Sequence, residues 1–178
     1  MDQLITLPLT SLEVPHSRYR LTNLRQITMG CDVAFTVNVR EGRVLLGVIE
    51  NHGNGGDTWF NAATFDHRQA MREFTASCRW KGEPTSEEDV YGHLVDEHEL
   101  SLAARRCART RKSLLRGLDA DGDTVHTTEA GAPSVWLARG DYPYMNQLAR
   151  ELRELRPSPG SWQVWDGEQW KDLKLPTG

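Results

Sequence analysis

Cysteine is scarce in this 178-residue sequence, and the three cysteines lie far apart. Cys31, Cys78 and Cys107 form no Cys-x-x-Cys pair, which excludes a zinc ribbon and a disulfide framework. We therefore expect a reducing cytoplasm, with the cysteines buried as small apolar residues. No apolar run approaches the roughly 20 residues of a membrane-spanning helix. Asp2 stands where a secretory signal carries basic residues, so we expect neither a signal peptide nor a membrane partner.

An excess of basic side chains is also lacking, because 21 Lys and Arg face 25 Asp and Glu, for a formal net charge of −4. This balance argues against a general affinity for nucleic acids or acidic membranes. The length suffices for one well-filled domain, and no internal repeat or low-complexity segment divides it. We predict a single domain over residues 1–178, in which 157–160 is the best candidate for a short linker.

The hydrophobic pattern predicts an α+β fold with a small antiparallel sheet covered by helices. Apolar and polar residues alternate over Asp32–Val39, and Val44–Ile49 is an apolar run, which together predict a hairpin. Thr58–Asn61 adds a third strand, so the predicted meander spans residues 32–61. Near the end of the chain, an Asp-Gly turn between tryptophan-rich segments predicts a β-hairpin over 161–173. We expect its tryptophans to pack on the body of the protein.

Amphipathic spacing predicts the helices that would cover this sheet. They are expected around residues 66–80, 86–118 and 141–155. Thr85 and Glu88 have the spacing of a capping box at the start of the second helix. The pattern continues from there without proline to about residue 118, which predicts one long helix.

The densest cluster of turn-forming residues lies between the second and third predicted strands. This loop consists of Asn51, His52, Gly53, Asn54, Gly55 and Gly56. Successive N–H groups in such a loop can form a concave nest that binds an anion. The loop lacks the Gly-Lys-Ser/Thr of a phosphate loop and the third glycine of a dinucleotide-binding loop. A hairpin turn with a bulge is the alternative interpretation, and the six residues are candidate ligand-binding residues.

A second candidate surface is a basic stretch late in the long predicted helix. It contains Arg105, Arg106, Arg109, Arg111, Lys112 and Arg116, with no acid among them. The spacing of Arg105, Arg109, Lys112 and Arg116 predicts one basic helix face. Acids early and bases late in a helix are favoured by its dipole alone. The alternative is a face that binds a phosphate or an acidic protein surface, for which Arg109, Arg111 and Lys112 are the candidate binding residues.

A catalytic or metal-binding set is not legible in the sequence. His93 and Glu97 are one helical turn apart, but no third ligand is identifiable, which favours a solvated helix face over a metal site. His52 and His67 lack a recognisable nucleophile and orienting carboxylate. We predict no catalytic residues, no metal and no cofactor, and we favour a protein that is not an enzyme.

The segments Glu50–Gly56 and Arg106–Leu115 resemble a group of small proteins from bacteriophages and bacterial genomes. That group often carries an Asn-x-Gly-x-Gly-Gly loop and a later Cys/Arg/Lys-Thr-Leu-like segment, where this chain has Ser113-Leu114. The resemblance covers residues 30–118. It implies a viral or mobile-element accessory protein that works in the host bacterial cytoplasm, and it supplies no catalytic residues.

Three functions are compatible with these features. The first is a non-enzymatic phage-type accessory protein that binds a host component, and inhibits or sequesters it, through the glycine-rich loop and the basic helix face. The second is an enzyme or sensor that binds a nucleotide or a phosphorylated small molecule at the loop, where Lys112 or Arg111 neutralises charge. The third and weakest is nucleic-acid binding through the basic face, because no helix-turn-helix context is present.

Overall fold

The structure is a computed structural model that describes residues 3–29, 32–53 and 55–176. The described residues form twelve strands and four helices, which confirms the predicted mixed α+β class. Cys31 and Asn54, which the sequence analysis singled out, lie outside the described residues.

The chain forms two compact units, and each is described by itself. Unit 1 is Met1–Glu99 and unit 2 is Leu100–Gly178. The prediction of a single domain with a linker at 157–160 stays a prediction. No helix in the described part of the chain combines the length and the apolar character needed to cross a membrane.

The described residues of unit 1 form eight strands, one complete helix and the start of a second helix. In chain order these are β1 (Ile5–Thr6), β2 (Leu12–Val14), β3 (Tyr19–Met29), β4 (Asp32–Glu41), β5 (Val44–Asn51), β6 (Thr58–Ala62), α1 (Phe65–Ser77), β7 (Arg79–Trp80), β8 (Glu83–Pro84) and α2 (Glu87–Thr110). One antiparallel sheet has the order β3-β4-β5-β6, and a smaller one has the order β1-β2-β7-β8. The larger sheet contains the three predicted strands and one strand that the pattern does not predict, β3.

The core of unit 1 joins one face of the larger sheet to both helices. Val37, Val39 and Ile49 come from alternate positions of β4 and β5, and they belong to the same buried cluster as Met71 of α1 and Tyr91 of α2. Each fully buried apolar side chain of this size contributes about 1.5–3 kcal/mol. The alternating apolar residues of the strands and the helically spaced apolar residues of α1 are therefore buried in the same core.

Helix α2 begins one residue later than the predicted capping box implies. Ser86 Oγ accepts a hydrogen bond from the Asp89 N–H at 3.1 Å and donates to Asp89 Oδ2 at 2.6 Å. Ser86 and Asp89 therefore form the cap, and the predicted pair of Thr85 and Glu88 is wrong. Glu88 instead accepts a hydrogen bond from the Thr58 N–H at 2.9 Å, which ties the first turn of α2 to the start of β6.

The predicted helix over 86–118 is too long, because α2 ends at Thr110. Arg111 has a left-handed backbone with φ 55°, and the Lys112 N–H donates to the Cys107 carbonyl at 2.9 Å. This bond spans six residues and closes a Schellman motif, in which the left-handed position is usually glycine. Arginine at that position gives no sequence signal for a helix end.

Unit 2 is built around a third antiparallel sheet, of order β10-β9-β11-β12. Its elements are β9 (Ser113–Leu118), β10 (Thr124–Ala130), α3 (Ser134–Arg139), α4 (Met145–Arg153), β11 (Ser161–Trp165) and β12 (Trp170–Asp172). One buried cluster contains Leu115 and Val164 from the sheet, Leu137 from α3, Leu152 from α4, and Trp162. The predicted helix at 141–155 thus corresponds to the shorter α4, and the last two strands pair antiparallel.

Strand β9 occupies part of the segment that the sequence pattern assigns to a helix. Leu114 and Leu115 are adjacent, and both are buried. A Cβ at Gly117 would lie 2.5 Å from Pro159 Cγ, so this position accepts only glycine while its neighbour keeps its place. A strand that is buried on both faces has no clean alternation, and its leucines can match helical spacing by coincidence.

Candidate functional site

The glycine-rich loop between β5 and β6 is organised by the side chain of Asn51. Asn51 Oδ1 accepts a hydrogen bond from the Gly53 N–H at 2.7 Å. Asn51 Nδ2 donates to the Gly56 carbonyl at 2.9 Å and to Thr58 Oγ1 at 3.0 Å. The Gly56 N–H donates to the Gly53 carbonyl at 3.1 Å. One amide side chain therefore holds both ends of the loop, as in an Asx turn.

The backbone of this loop requires glycine at two positions. Gly53 has φ 72° and Gly55 has φ 73°, in the left-handed region. At Gly53 an added Cβ would also lie 3.4 Å from the backbone nitrogen of Ala34. A side chain in the left-handed conformation costs roughly 1–2 kcal/mol. The glycines are thus explained by the shape of the turn.

The hydrogen bonds of the loop bear directly on the anion nest that the sequence suggests. The N–H groups of Gly53 and Gly56 both donate to acceptors within the loop. Just beyond the loop, the Thr58 N–H donates to the carboxylate of Glu88. These amides already have acceptors, so a bound anion would have to compete with local hydrogen bonds.

His52 lies on the loop beside a carboxylate, but the pair is too far apart to hydrogen-bond. His52 Nε2 is 3.9 Å from Glu50 Oε2, and its ring contacts Trp59 edge-on with centroids 4.6 Å apart. The Glu50 carboxylate accepts hydrogen bonds from Trp59 Nε1 at 2.9 Å and from Asn61 Nδ2. Within the described residues no hydroxyl or thiol hydrogen-bonds the His52 ring, so the arrangement lacks a nucleophile.

The other histidine weighed as a general base lies in the first turn of α1. Its backbone N–H donates to the N-cap residue, since His67 N is 3.2 Å from Thr64 Oγ1. His67 Nδ1 is buried and has no hydrogen-bond partner in the described part of the protein. A general base is held in place by an orienting group, and among the described residues no group hydrogen-bonds His67 Nδ1.

His93 and Glu97, which the sequence analysis weighs as a metal pair and interprets as a solvated helix face, each contact other residues of unit 1. The His93 ring stacks on Trp80, with centroids 4.9 Å apart. Glu97 accepts hydrogen bonds from the N–H groups of Leu9 and Thr10, at 3.1 and 2.8 Å, and from the Thr10 hydroxyl at 2.9 Å. Burial raises the pKa of Glu97 above its ordinary value, and the hydrogen bonds from Thr10 oppose that rise. Across the described ranges no group of three His, Cys, Asp or Glu could hold a metal ion.

The basic stretch in the structure forms what we call the basic terminus. It comprises Arg105, Arg106 and Arg109 on the last turns of α2, the left-handed Arg111, and Lys112. All five residues are exposed. Arg105 and Arg109 are one helical turn apart on the side opposite the buried Cys107.

Arg116 does not belong to this surface. The prediction of a single basic helix face is wrong for both Arg116 and Lys112, because α2 ends at Thr110 and neither residue is helical. Arg116 lies on β9, where its Nε donates to Gln163 Oε1 at 2.8 Å. Its guanidinium lies 4.4 Å from the centroid of the Trp170 ring. Burial lowers the pKa of Arg116 to about 10. The error follows directly from the early end of α2.

One carboxylate that the sequence analysis missed lies against the basic terminus. Arg106 Nε and Nη2 both donate to Glu129 Oε1, at 3.0 and 2.7 Å. Lys112 Nζ donates to Glu129 Oε2 at 3.4 Å. The hydrogen bond from Arg106, followed by that from Lys112, holds the pKa of Glu129 below its ordinary value. Glu129 lies on β10, and only the β9–β10 pairing brings it to the helix end.

The remaining cations of the basic terminus have no such partner. Arg105, Arg109 and Arg111 are exposed, and none of them forms an ion pair within the described residues. The basic terminus therefore carries five cations, of which Arg106 and Lys112 pair with Glu129 and the other three form no ion pair among the described residues. An excess of one sign over a small area attracts ligands of the opposite charge.

The two predicted surfaces belong to different units. Asn51, His52, Gly53, Gly55 and Gly56 lie in unit 1, whereas the basic terminus lies in unit 2. No protein-family model, curated protein or solved structure matches the chain.

Proposed function

We propose that this protein is a non-enzymatic binding protein whose basic terminus contacts an acidic surface of a host component. The observation that carries the proposal is the charge arrangement there. Arg105, Arg109 and Arg111 are exposed and have no ion pair in the described structure, while Arg106 and Lys112 share the single carboxylate of Glu129.

The chemistry of the surface suits an acidic partner. Arginine presents a planar fork of N–H donors that matches a carboxylate or a phosphate, and charge-assisted hydrogen bonds are stronger than neutral ones. The side chains project from the end of a long helix and from the closed turn that follows it. A rigid base of this kind reduces the entropy lost when a partner binds.

The non-enzymatic part of the proposal is supported by the histidines. His52 is 3.9 Å from the nearest carboxylate oxygen, and His67 Nδ1 is buried without a hydrogen-bond partner among the described residues. A reaction centre of the acyl-transfer type would place a base within hydrogen-bond reach of both a nucleophile and an orienting group.

The glycine-rich loop is a second contact in this proposal. Its shape is maintained by Asn51, and it presents the His52 side chain, of which 69% is exposed. Because the Gly53 and Gly56 N–H groups are already bonded, the loop would contribute shape and the imidazole rather than an anion nest. In keeping with the resemblance to phage and bacterial proteins, we place this activity in a host bacterial cytoplasm, as an accessory factor that inhibits or sequesters its target. The proposed scaffold is a sheet covered by helices with a closing C-terminal hairpin.

The test is capture from a bacterial lysate, with mass spectrometry to identify what binds. The wild-type chain is compared with the double variant Arg105→Glu, Arg109→Glu, which should lose the captured component because like charges then face it. Arg139→Glu, Lys174→Glu is the matched control, since it makes the same change in net charge at two exposed positions elsewhere in unit 2.

The control should retain the component, and rising salt should weaken capture by the wild type. Equal capture by all three proteins would reject the basic terminus as the contact surface. Turnover of a small molecule by the purified wild type would reject the non-enzymatic assignment.

A further inference from the structure

The geometry around Glu129 is that of a formed carboxylate site. Arg106 directs two N–H groups at one oxygen, at 3.0 and 2.7 Å, and Lys112 approaches the other oxygen at 3.4 Å. Both oxygens of the carboxylate are engaged, by cations from two sides. The position of Glu129 thus shows that Arg106 and Lys112 together can bind a carboxylate.

We propose that Glu129 is an internal competitor, and that the partner inserts an aspartate or glutamate side chain which takes its place between Arg106 and Lys112. This inference rests on the proposed function, since it names the chemistry of the partner at the basic terminus. It makes the partner a protein with an acidic segment. It also gives Glu129 a regulatory role, because the site is occupied until a sufficiently acidic segment arrives.

The exchange is physically accessible because all three side chains reach solvent. The exposed fraction of the side chain is 57% for Arg106, 48% for Lys112 and 26% for Glu129. Ion pairs at such exposure favour the paired state by a factor of roughly two to five. A segment with several carboxylates gains contacts to Arg105, Arg109 and Arg111, which Glu129 cannot reach while it is bound to the other two cations.

The charge of the chain favours a protein partner over a nucleic acid. Unit 1 has 9 Lys and Arg against 15 Asp and Glu, a net charge of −6, and unit 2 has 12 against 10, a net charge of +2. A long polyanion depends on many phosphate contacts spread over a basic surface. The excess here is confined to five residues at one helix end, which suits a short acidic segment.

The experiment measures binding of a fluorescent peptide of alternating glutamate and serine by anisotropy, with the full chain. The proteins compared are the wild type, Glu129→Gln and Glu168→Gln. Glu168 is exposed on the turn between β11 and β12, so its substitution removes the same charge from unit 2 without touching the basic terminus.

We expect Glu129→Gln to bind the peptide roughly two- to five-fold more tightly than the wild type, and Glu168→Gln to bind as the wild type does. Equal tightening by both substitutions would overturn the inference, because net charge alone would explain it. Weaker binding by Glu129→Gln would also overturn it, because Glu129 would then support the site instead of competing for it. If Glu129→Gln does not fold, Glu129→Asp, whose shorter side chain loosens the contact to Arg106, should show a smaller tightening.

Two further arms separate this inference from the proposed function. If Arg105→Glu, Arg109→Glu abolishes peptide binding while Glu129→Gln binds as the wild type, the proposed surface stands and the exchange is refuted. If that double variant captures the host component as the wild type does, the proposed function itself fails. Tighter binding of a single-stranded DNA with the same number of charges than of the peptide would overturn the choice of a protein partner.

Discussion

The glycine-rich loop and the basic terminus are both rich in polar groups, but they differ in whether those groups have partners in the structure. In the loop, the Asn51 side chain and the amides of Gly53 and Gly56 bond to one another within a few residues. At the basic terminus, Arg105, Arg109 and Arg111 are exposed, and within the described residues none has an ion-pair partner. Donors and acceptors that are close along the chain form hydrogen bonds with one another, whereas neighbouring cations have no acceptor to offer one another.

This difference follows from the donors and acceptors that each side chain carries. An amide side chain carries both a donor and an acceptor, so a single asparagine can complete a turn. A guanidinium carries donors only, so each arginine depends on an acceptor from elsewhere. Glu129 supplies one such acceptor, for Arg106 and Lys112. The other three cations of the basic terminus form no ion pair among the described residues, and under our proposal they are the ones that contact a partner.

The loss of stability expected from a substitution at Asn51 is larger than that expected anywhere at the basic terminus. We expect Asn51→Ala to lower the free energy of unfolding by about 2–3 kcal/mol, because three hydrogen bonds of the loop are lost. Urea denaturation gives the measurement. Arg109→Ala is the matched control at the basic terminus and should change stability by less than about 0.5 kcal/mol. Equal losses of unfolding free energy in Asn51→Ala and Arg109→Ala would contradict the view that the loop is held by its own hydrogen bonds while Arg109 has no such partner.

The next effect concerns the left-handed backbone of the loop. Gly53→Ala should cost roughly 1–2 kcal/mol, because Gly53 has φ 72° and a side chain is strained there. Gly56→Ala serves as the control, since Gly56 does not have a positive φ and its added Cβ would meet only the Gly53 carbonyl oxygen, at 3.2 Å. Thermal melts of the two variants make the comparison. A larger loss at Gly56 would contradict the account of the turn.

A change in the opposite direction is expected at the end of α2. Arg111→Gly should raise stability by roughly 1 kcal/mol or somewhat less, because it relieves the left-handed conformation at φ 55°. Arg109→Gly, two residues earlier and inside the helix, should instead lower stability by about 1 kcal/mol. The pair can be compared in parallel melts. A loss at Arg111 would mean that its side chain stabilises the helix end more than its backbone strains it.

The smallest expected effect is the pH dependence contributed by Glu129. Its pKa is lowered in the folded protein, mainly by Arg106, so the unfolded chain binds the proton more readily. The contribution to stability is therefore present above the ordinary pKa of a glutamate and is lost as the pH falls through about 4 and below. Melting temperatures of Glu129→Gln should fall slightly less than those of the wild type over this range. A steeper fall in the variant would contradict the assigned direction.

The elements that the sequence predicts correctly are those with one-sided burial. Strand β4 alternates because one face packs on the core, and α1 carries its apolar residues on one stripe for the same reason. Strand β3 is missed because its alternation is interrupted between Thr22 and Arg25, where the strand register shifts and Asn23 has a left-handed backbone with φ 56°. Strand β9 is mistaken for helix because Leu114 and Leu115 are both buried.

The candidate site divides in the same way. The residues of the loop and the cations of the basic terminus are legible because they are adjacent in sequence. Their accessibility is not legible, since it depends on which acceptors arrive from elsewhere. Glu129 is 17 residues from Lys112 and 23 from Arg106, and no local spacing relates it to either. Arginine has no intrinsic preference for the left-handed conformation, so its identity at position 111 does not indicate that α2 ends there.

The amino-acid sequence alone determined the mixed class of the fold, the meander of unit 1, the glycine-rich loop and the concentration of positive charge after residue 104. These depend on neighbours within a few positions, through period-two and helical burial and through the backbone preferences of glycine and asparagine. Only the tertiary structure decided that α2 stops at Thr110, that Arg116 lies half-buried on β9 against Trp170, and that Glu129 sits between Arg106 and Lys112. Strand pairing brings together residues that are distant along the chain, and hydrogen bonds and ion pairs depend on distance in space.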